Sequence, residues 1–402
     1  MTDTKTMAPS IPETDRLSAA FVIASGVVAA LQVGKATIAI PLLRQDFQLN
    51  LQQAGWVMSI FALLAVFGGM AVGAAVGRFG DRNLIVAGLL AIAFGSTVGA
   101  STETFSILLS ARALEGAGLL FVIIAGSAIL NRLAAPQDRD LVFSFWSCYM
   151  PFGMALALLL GLAINGWRPF WFANAGVAAL FALLLHVIIP RENPRKITST
   201  LADIVRDSGK TVTSGGPLLL ALGFTMYGLQ FFALFSFLPV LLAEQMGVSR
   251  GNAGVLTAFA IAANIIGNIS AGIALRRGFA RWRLMAGASL VMTATGVAVF
   301  LLPAPAWLIF GLCVVFSGVG GCLPASMMGA APRVVADPKL GAMSVGLVMQ
   351  GSNLGLMIGP VVVGSLVDIA GWKAAAVPVA IAGAIGLTLA FALRSVFRRF
   401  AL

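Results

Sequence analysis

The chain has 402 residues, of which 59% are hydrophobic and only 10% charged, with a mean hydropathy of +0.97. Soluble domains carry roughly 25% charged residues, so a water-soluble globule is excluded and a chain of many apolar spans is expected. The net charge of +11 would suggest nucleic-acid binding in a soluble protein, but here the basic residues fall in short loops, where membrane orientation accounts for them and no nucleic-acid partner is expected.

Residues 1–16 are polar and read as a cytoplasmic N-terminal tail. The first apolar segment has transmembrane length and no clear cleavage site, so it reads as an uncleaved span. Continuous runs of about 20 apolar residues indicate helices, not barrel strands. Twelve candidate helices cover residues 17–43, 53–77, 84–101, 104–130, 141–164, 169–190, 216–243, 251–275, 283–302, 305–330, 341–367 and 372–394. The expected fold class is an all-α membrane protein with twelve transmembrane helices in two pseudo-symmetric six-helix bundles, 17–190 and 216–394. Between them lies a cytoplasmic linker, 191–215, with room for a short amphipathic surface helix. Residues 395–402 form a cytoplasmic C-terminal tail.

Lysine and arginine set the orientation. With both termini in the cytoplasm, the outer loops hold only Arg44, Arg168, Arg250 and Lys373, while the inner loops and tails hold most of the rest. That asymmetry favours both termini inside a plasma or bacterial inner membrane.

The two halves echo each other. Gln32 precedes Pro41 by the same interval as Gln230 precedes Pro239. Ala54-Gly55 matches Ala253-Gly254, and Gly116-x-Gly118 matches Gly318-x-Gly320. Pro136 matches Pro338, and Gly166-Trp167-Arg168 matches Gly371-Trp372-Lys373. A colinear series of this kind indicates duplication.

Three local signatures resemble the major facilitator superfamily over essentially the full chain. Gly77-Arg78-Phe79-Gly80-Asp81-Arg82 is similar to its G-x-x-x-D-R loop, although Asn83-Leu84-Ile85 replaces the usual continuation. Leu108-x-x-x-Arg112-x-x-Glu115-Gly116-x-Gly118 resembles the fourth-helix motif, with Glu where Gln is common, and Gly166-Trp167-Arg168 precedes the sixth helix. The fifth-helix G-x-x-x-G-P motif of drug–proton antiporters is missing, since Tyr149-Met150-Pro151-Phe152-Gly153 stands there, while Gly355-x-x-x-Gly359-Pro360 appears in the eleventh helix. The stretch Gly34 to Arg44 weakly resembles the cyanate-permease-like branch. The resemblance implies that helices 1 and 4 line a central cavity, that Gly77, Asp81 and Arg82 belong to a cytoplasmic gate, and that helix 6, with the only histidine, His186, is peripheral.

Deep charges are few. Lys35 and Arg112 lie roughly 12 Å below the outer ends of helices 1 and 4 at 1.5 Å rise per residue, and Glu115 is one turn deeper. Ionisable groups at such depth are expensive and mark functional sites. Lys35 and Arg112 are candidate anion ligands, and Glu115 with Arg112 the candidate proton-coupling pair. The competing readings are a permanent structural Arg112–Glu115 pair and an outward-snorkelling Lys35. Gln32, Tyr149, Tyr227, Gln230, Asn264 and Asn353 are further candidate substrate contacts, although such residues also serve as ordinary interhelical hydrogen bonds.

Cys148, Cys313 and Cys322 lack metal-ligand spacing, so no metal site is expected. Gly34-Lys35-Ala36-Thr37 lacks the first Gly and the Ser/Thr after Lys of a phosphate loop, so no ATPase, cofactor or enzyme activity is expected. The leading expectation is a monomeric secondary active transporter in the lipid bilayer. It would move a small anionic or polar solute by alternating access, coupled to protons. The alternatives are a drug–proton antiporter and, from another class, a non-transporting membrane sensor or scaffold.

Overall fold

The computed structural model describes residues 14–49, 51–164, 166–190, 201–238, 241–242 and 246–402. Tail residues 1–13, linker residues 191–200 and Pro239 lie outside the described residues, as do the side chains of Pro41, Arg44, Ala54 and Arg250.

The first half comprises α1 (Arg16–Asp46), α2 (Leu51–Phe79), α3 (Asp81–Ser101), α4 (Phe105–Leu133), α5 (Arg139–Ser147), α6 (Tyr149–Ala163) and α7 (Trp167–Ile188). The linker contains α8 (Leu201–Thr213), a surface helix whose Arg206 pairs with Asp203 and Asp207. The second half comprises α9 (Gly216–Phe235), α10 (Arg250–Ala262), α11 (Asn264–Arg276), α12 (Arg281–Leu301), α13 (Ala306–Gly320), α14 (Cys322–Ala330), α15 (Gly341–Ala370) and α16 (Ala376–Arg399). Among the described residues, eleven helical stretches are long and apolar enough to cross a membrane, and the second expected span contributes the shorter apolar stretch Ile60–Gly73. The protein is an all-α, multi-pass membrane protein.

Several boundaries differ from those expected. The last helix runs to Arg399, so residues 395–399 of the expected tail are helical, and the first helix starts at Arg16 and reaches Asp46. The fifth span is broken between α5 and α6, where Pro151 has no N–H and its ring crowds the Ser147 carbonyl four residues back. Pro324 does the same to Gly320 where α13 gives way to α14.

Local chemistry starts several helices. Asp15 caps α1 by accepting from the Ser18 N–H at 3.1 Å, and its bonds to Ser18 hold the carboxyl below its ordinary range. The repeated Gly-Trp-basic triplet is a turn: Gly166 and Gly371 adopt φ of 95° and 75°, a region open to glycine, immediately before Trp167 and Trp372. Arg168 then donates to the Ala100 and Thr102 carbonyls at 2.8 and 2.7 Å, closing the end of α3.

The halves meet along α2 against α15 and along α5–α6 against α10–α11. Gly69 and Gly346 let two backbones approach so closely that a Cβ on either would overlap the other's carbonyl. Gln350 donates to the Val66 carbonyl at 2.9 Å across the same seam. Near the basic ends of the helices, three ion pairs join the halves: Asp138–Arg276 at 3.3 Å, Asp140–Arg281 at 2.6 Å and Asp140–Arg333 at 2.5 Å. Among the described residues these are the ion pairs between halves, and all lie at this one end. The bundle is latched there.

Candidate functional site

The three deep charges converge. α1 supplies Lys35 and Gln32, α3 supplies Ser96, and α4 supplies Arg112 and Glu115 from successive positions on one face. Lys35 Nζ donates to Glu115 Oε1 at 2.7 Å and to Ser96 Oγ at 2.6 Å. The Arg112 guanidinium pairs with the other carboxylate oxygen, Oε2. Ser96 Oγ lies 2.7 Å from Glu115 Oε1 and 3.2 Å from Gln32 Oε1. Aromatic faces cover both cations: Lys35 Nζ sits 4.4 Å from the Trp171 ring centroid and Arg112 Cζ 4.5 Å from that of Phe61. Arg112 Nε also donates to the Val57 carbonyl at 3.3 Å, whereas its Nη2 is buried with no hydrogen-bond partner.

Lys35, Arg112 and Glu115 are all 0% exposed, so the site is sealed in this conformation. Its walls, α1 to α4 and α7, all belong to the first half. With Lys35 and Arg112 both protonated, two cations share one carboxylate and one positive charge is in excess. That surplus and the guanidinium N–H left over by Glu115 and Val57 are the chemistry the site offers: donors and positive charge suited to an anion or acceptor.

The halves differ at this level. The offset that carries Gly116 onto Gly318 carries Glu115 onto Ser317 and Arg112 onto Val314. Gln32 and Gln230 each lie near a hydroxyl of the third span of their half, Ser96 Oγ on α3 at 3.2 Å and Thr293 Oγ1 on α12 at 3.5 Å. At the position of Ser317 the second half has a neutral network: Asn264 Nδ2 donates to the Ser317 carbonyl at 2.9 Å and to the Tyr227 hydroxyl at 3.2 Å. Asn268 Nδ2 donates to Asn264 Oδ1 at 2.8 Å. The scaffold is duplicated and the charge is not.

Tyr149 and Tyr227 come near each other where the halves face, with Cys148 and Cys322 alongside. Tyr149 stacks on Trp146 at 5.2 Å, and Trp146 Nε1 donates to Ser127 Oγ at 3.0 Å. Tyr227 continues into Phe231 and Phe235, with centroids 5.7 and 4.6 Å apart. This aromatic group is buried and separate from the charged triad. Asn353 turns back to its own helix, donating to the Met349 carbonyl at 2.8 Å.

Of the residues expected at a gate, Asp81 takes a bidentate grip from Arg132, with contacts of 3.0 to 3.2 Å, and Arg82 donates to the His186 carbonyl. Gly77 sits one turn before Asp81, within α2. Sequence reasoning missed Ser96, Trp171 and Phe61, which complete the triad's shell, and Asp140, Arg281 and Arg333, which form the latch. The signal for the latch was weak: Arg281 stands in a basic loop run, yet is 2% exposed.

A family model described as Major Facilitator Superfamily matches residues 22–314 and 220–399. The 3-(3-hydroxy-phenyl)propionate transporter of Escherichia coli K12 is 27% identical over 235 residues, covering 58% of this chain and 58% of that protein. The arabinose-proton symporter of the same organism is 26% identical over 165 residues, covering 41% and 35%. The match thus spans little more than half of the first relative and about a third of the second. Among solved structures, the human organic anion transporter MFSD10 superposes with a TM-score of 0.77 over 93% of this chain and 99% of that one, at 16% identity. That likeness concerns the fold.

Proposed function

The chain belongs to the major facilitator superfamily, and from that membership we propose that it is a secondary active transporter that moves a small organic anion together with a proton. Alternating access between the two halves carries the solute, and both termini face the cytoplasm. The observation that supports this reading is the Glu115 carboxylate shared by Lys35 and Arg112, fully buried, with Arg112 Nη2 unpartnered.

The coupling follows from charge balance. Protonating Glu115 alone leaves two cations buried without a counter-charge, which is costly in a low-dielectric site. Inserting an anion alone neutralises the surplus charge but sets a second carboxylate against Glu115, and that like charge favours protonating one of the two. Doing both keeps the original balance: the incoming carboxylate takes over Lys35 and Arg112 while protonated Glu115 turns to hydroxyl and carbonyl partners. Proton and anion then bind together, and the gradient of one drives the other. Reaching the triad requires its own walls, α1 to α4 and α7, to part, and in alternating access the latch at the basic end is the contact between the halves that would release.

The relative named for 3-(3-hydroxy-phenyl)propionate supports an aromatic carboxylate, and the one named as a proton symporter supports proton coupling. The aromatic faces that cover the two cations, Trp171 and Phe61, would pack against the substrate's ring. The missing fifth-helix motif and the surplus positive charge argue against a cationic-drug antiporter.

Reconstituted vesicles provide the test. Aromatic carboxylates should accumulate when the outside is acidic, and uptake should collapse with a protonophore. Equilibration of the solute without accumulation, or counter-transport of a lipophilic cation, would replace this reading with the uncoupled or the drug-antiport alternative.

A further inference from the structure

A cavity of about 860 Å³ lies away from the triad, between the start of α1, α5–α6 and α11. One end is ionic. Arg16 and Arg276 stand there with Asp138, which bridges to Arg276 at 3.3 Å and accepts from Thr14 Oγ1 at 2.9 Å. Among the described residues, Arg16 has no ion-pair partner. The rest of the groove is apolar, with Ala20, Ile23, Val27, Phe145, Phe152 and Ile269 along its length. Phe145 and Phe152 are 41% and 47% exposed, so the groove opens sideways, where a spanning helix meets hydrocarbon.

Its dimensions match one leaflet. From Arg16 to Val27 the groove follows α1 for eleven residues, roughly 16 Å at 1.5 Å per residue. That is about half of a hydrocarbon core roughly 30 Å thick. A cationic mouth above an apolar trough one leaflet deep is complementary to a phosphate above an acyl chain.

We propose that this groove binds an anionic phospholipid of the leaflet at the basic end, with its phosphate between Arg16 and Arg276 and one acyl chain along α1 and α11. The second arginine is already half-engaged by Asp138, so phosphate binding competes with an ion pair that ties the two halves together. Because α1 and α5 belong to the first half and α11 to the second, the lipid touches both. Any rearrangement of the halves reshapes the groove, and a bound lipid therefore biases the conformational equilibrium by its differential affinity.

The full-length protein, purified and delipidated in detergent, is titrated with phosphatidylglycerol, phosphatidylcholine and the free glycerophosphoglycerol headgroup. Retained lipid is counted by native mass spectrometry and the melting temperature is followed in parallel. Phosphatidylglycerol should bind at least about fivefold more tightly than phosphatidylcholine, which offers the same phosphate but sets a trimethylammonium group against the two arginines and has no net charge, and the headgroup alone should not raise the melting temperature. The double variant R16Q/R276Q should lose that preference. Ala20→Trp or Ile269→Trp, each filling the trough at a non-buried position, should block both lipids; the second serves if the first does not fold. Equal binding of the two lipids by the native protein, an unchanged preference in R16Q/R276Q, or headgroup binding as tight as that of the whole lipid would each overturn the proposal. None of these readouts depends on transport.

Discussion

Replacing Glu115 with glutamine keeps the side chain's size and removes its charge. In the structure the carboxylate accepts Lys35 Nζ and Ser96 at 2.7 Å each and the Arg112 guanidinium on its second oxygen. An amide has one acceptor oxygen, so one of these donors loses its partner and two buried cations keep no counter-charge. Removing one member of a buried ion pair costs about 3–5 kcal/mol, and the variant should lose about that much stability in thermal or denaturant unfolding in detergent. Adding Lys35→Met removes one stranded charge, so the double variant should be less destabilised than the sum of the singles by at least about 0.5 kcal/mol. Function gives a second, independent reading. If one proton enters with each anion, native anion affinity should rise up to about tenfold per unit fall in pH by linkage. Glu115→Gln, locked in the uncharged form, should bind the anion with no such pH slope. A stability loss below about 1 kcal/mol, strict additivity with Lys35→Met, or a retained pH slope would refute the charge-balance reasoning.

Other expectations follow from the same geometry. Asp140→Asn removes the negative charge that Arg281 and Arg333 share on Oδ1 and should shift the halves apart at the basic end by about tenfold or more in population, taking about 1.5–3 kcal/mol for a charged hydrogen bond; distance measurements between spin labels on the two halves at that end would show it. Gly116→Val places a side chain against the Phe61 carbonyl, and should cost more than about 3 kcal/mol or prevent folding, read as loss of monodisperse protein on gel filtration. Tyr227→Phe removes the acceptor of Asn264 and should cost about 0.5–1.5 kcal/mol while leaving the pH slope of anion binding intact, checked by the same titration. A membrane-impermeant thiol reagent applied from outside should label a cysteine at Lys373 but not one at Lys339; the reverse pattern would invert the orientation.

Sequence by itself determined the spans, the duplication and the identity of the deep charges. Hydropathy is a local, additive property, so apolar runs mark helices without knowledge of neighbours, and a charge in such a run is visible because it is expensive there. The Gly-Trp-basic triplets were legible as paired landmarks, and their positive φ explains why glycine stands in both. Tertiary structure alone decided where the charged side chains point. Lys35 and Glu115 are 80 positions apart, and no periodicity says that Ser96 and Trp171 close around them, because serine and tryptophan are ordinary residues of apolar helices. The same holds for Asp140: as sequence it is a loop-edge carboxylate, and only the packing of α5 against the second half brings Arg281 and Arg333 to it. Burial of a charge is a property of the assembled bundle, since the low-dielectric surroundings that give the triad and the latch their strength come from helices distant in the chain.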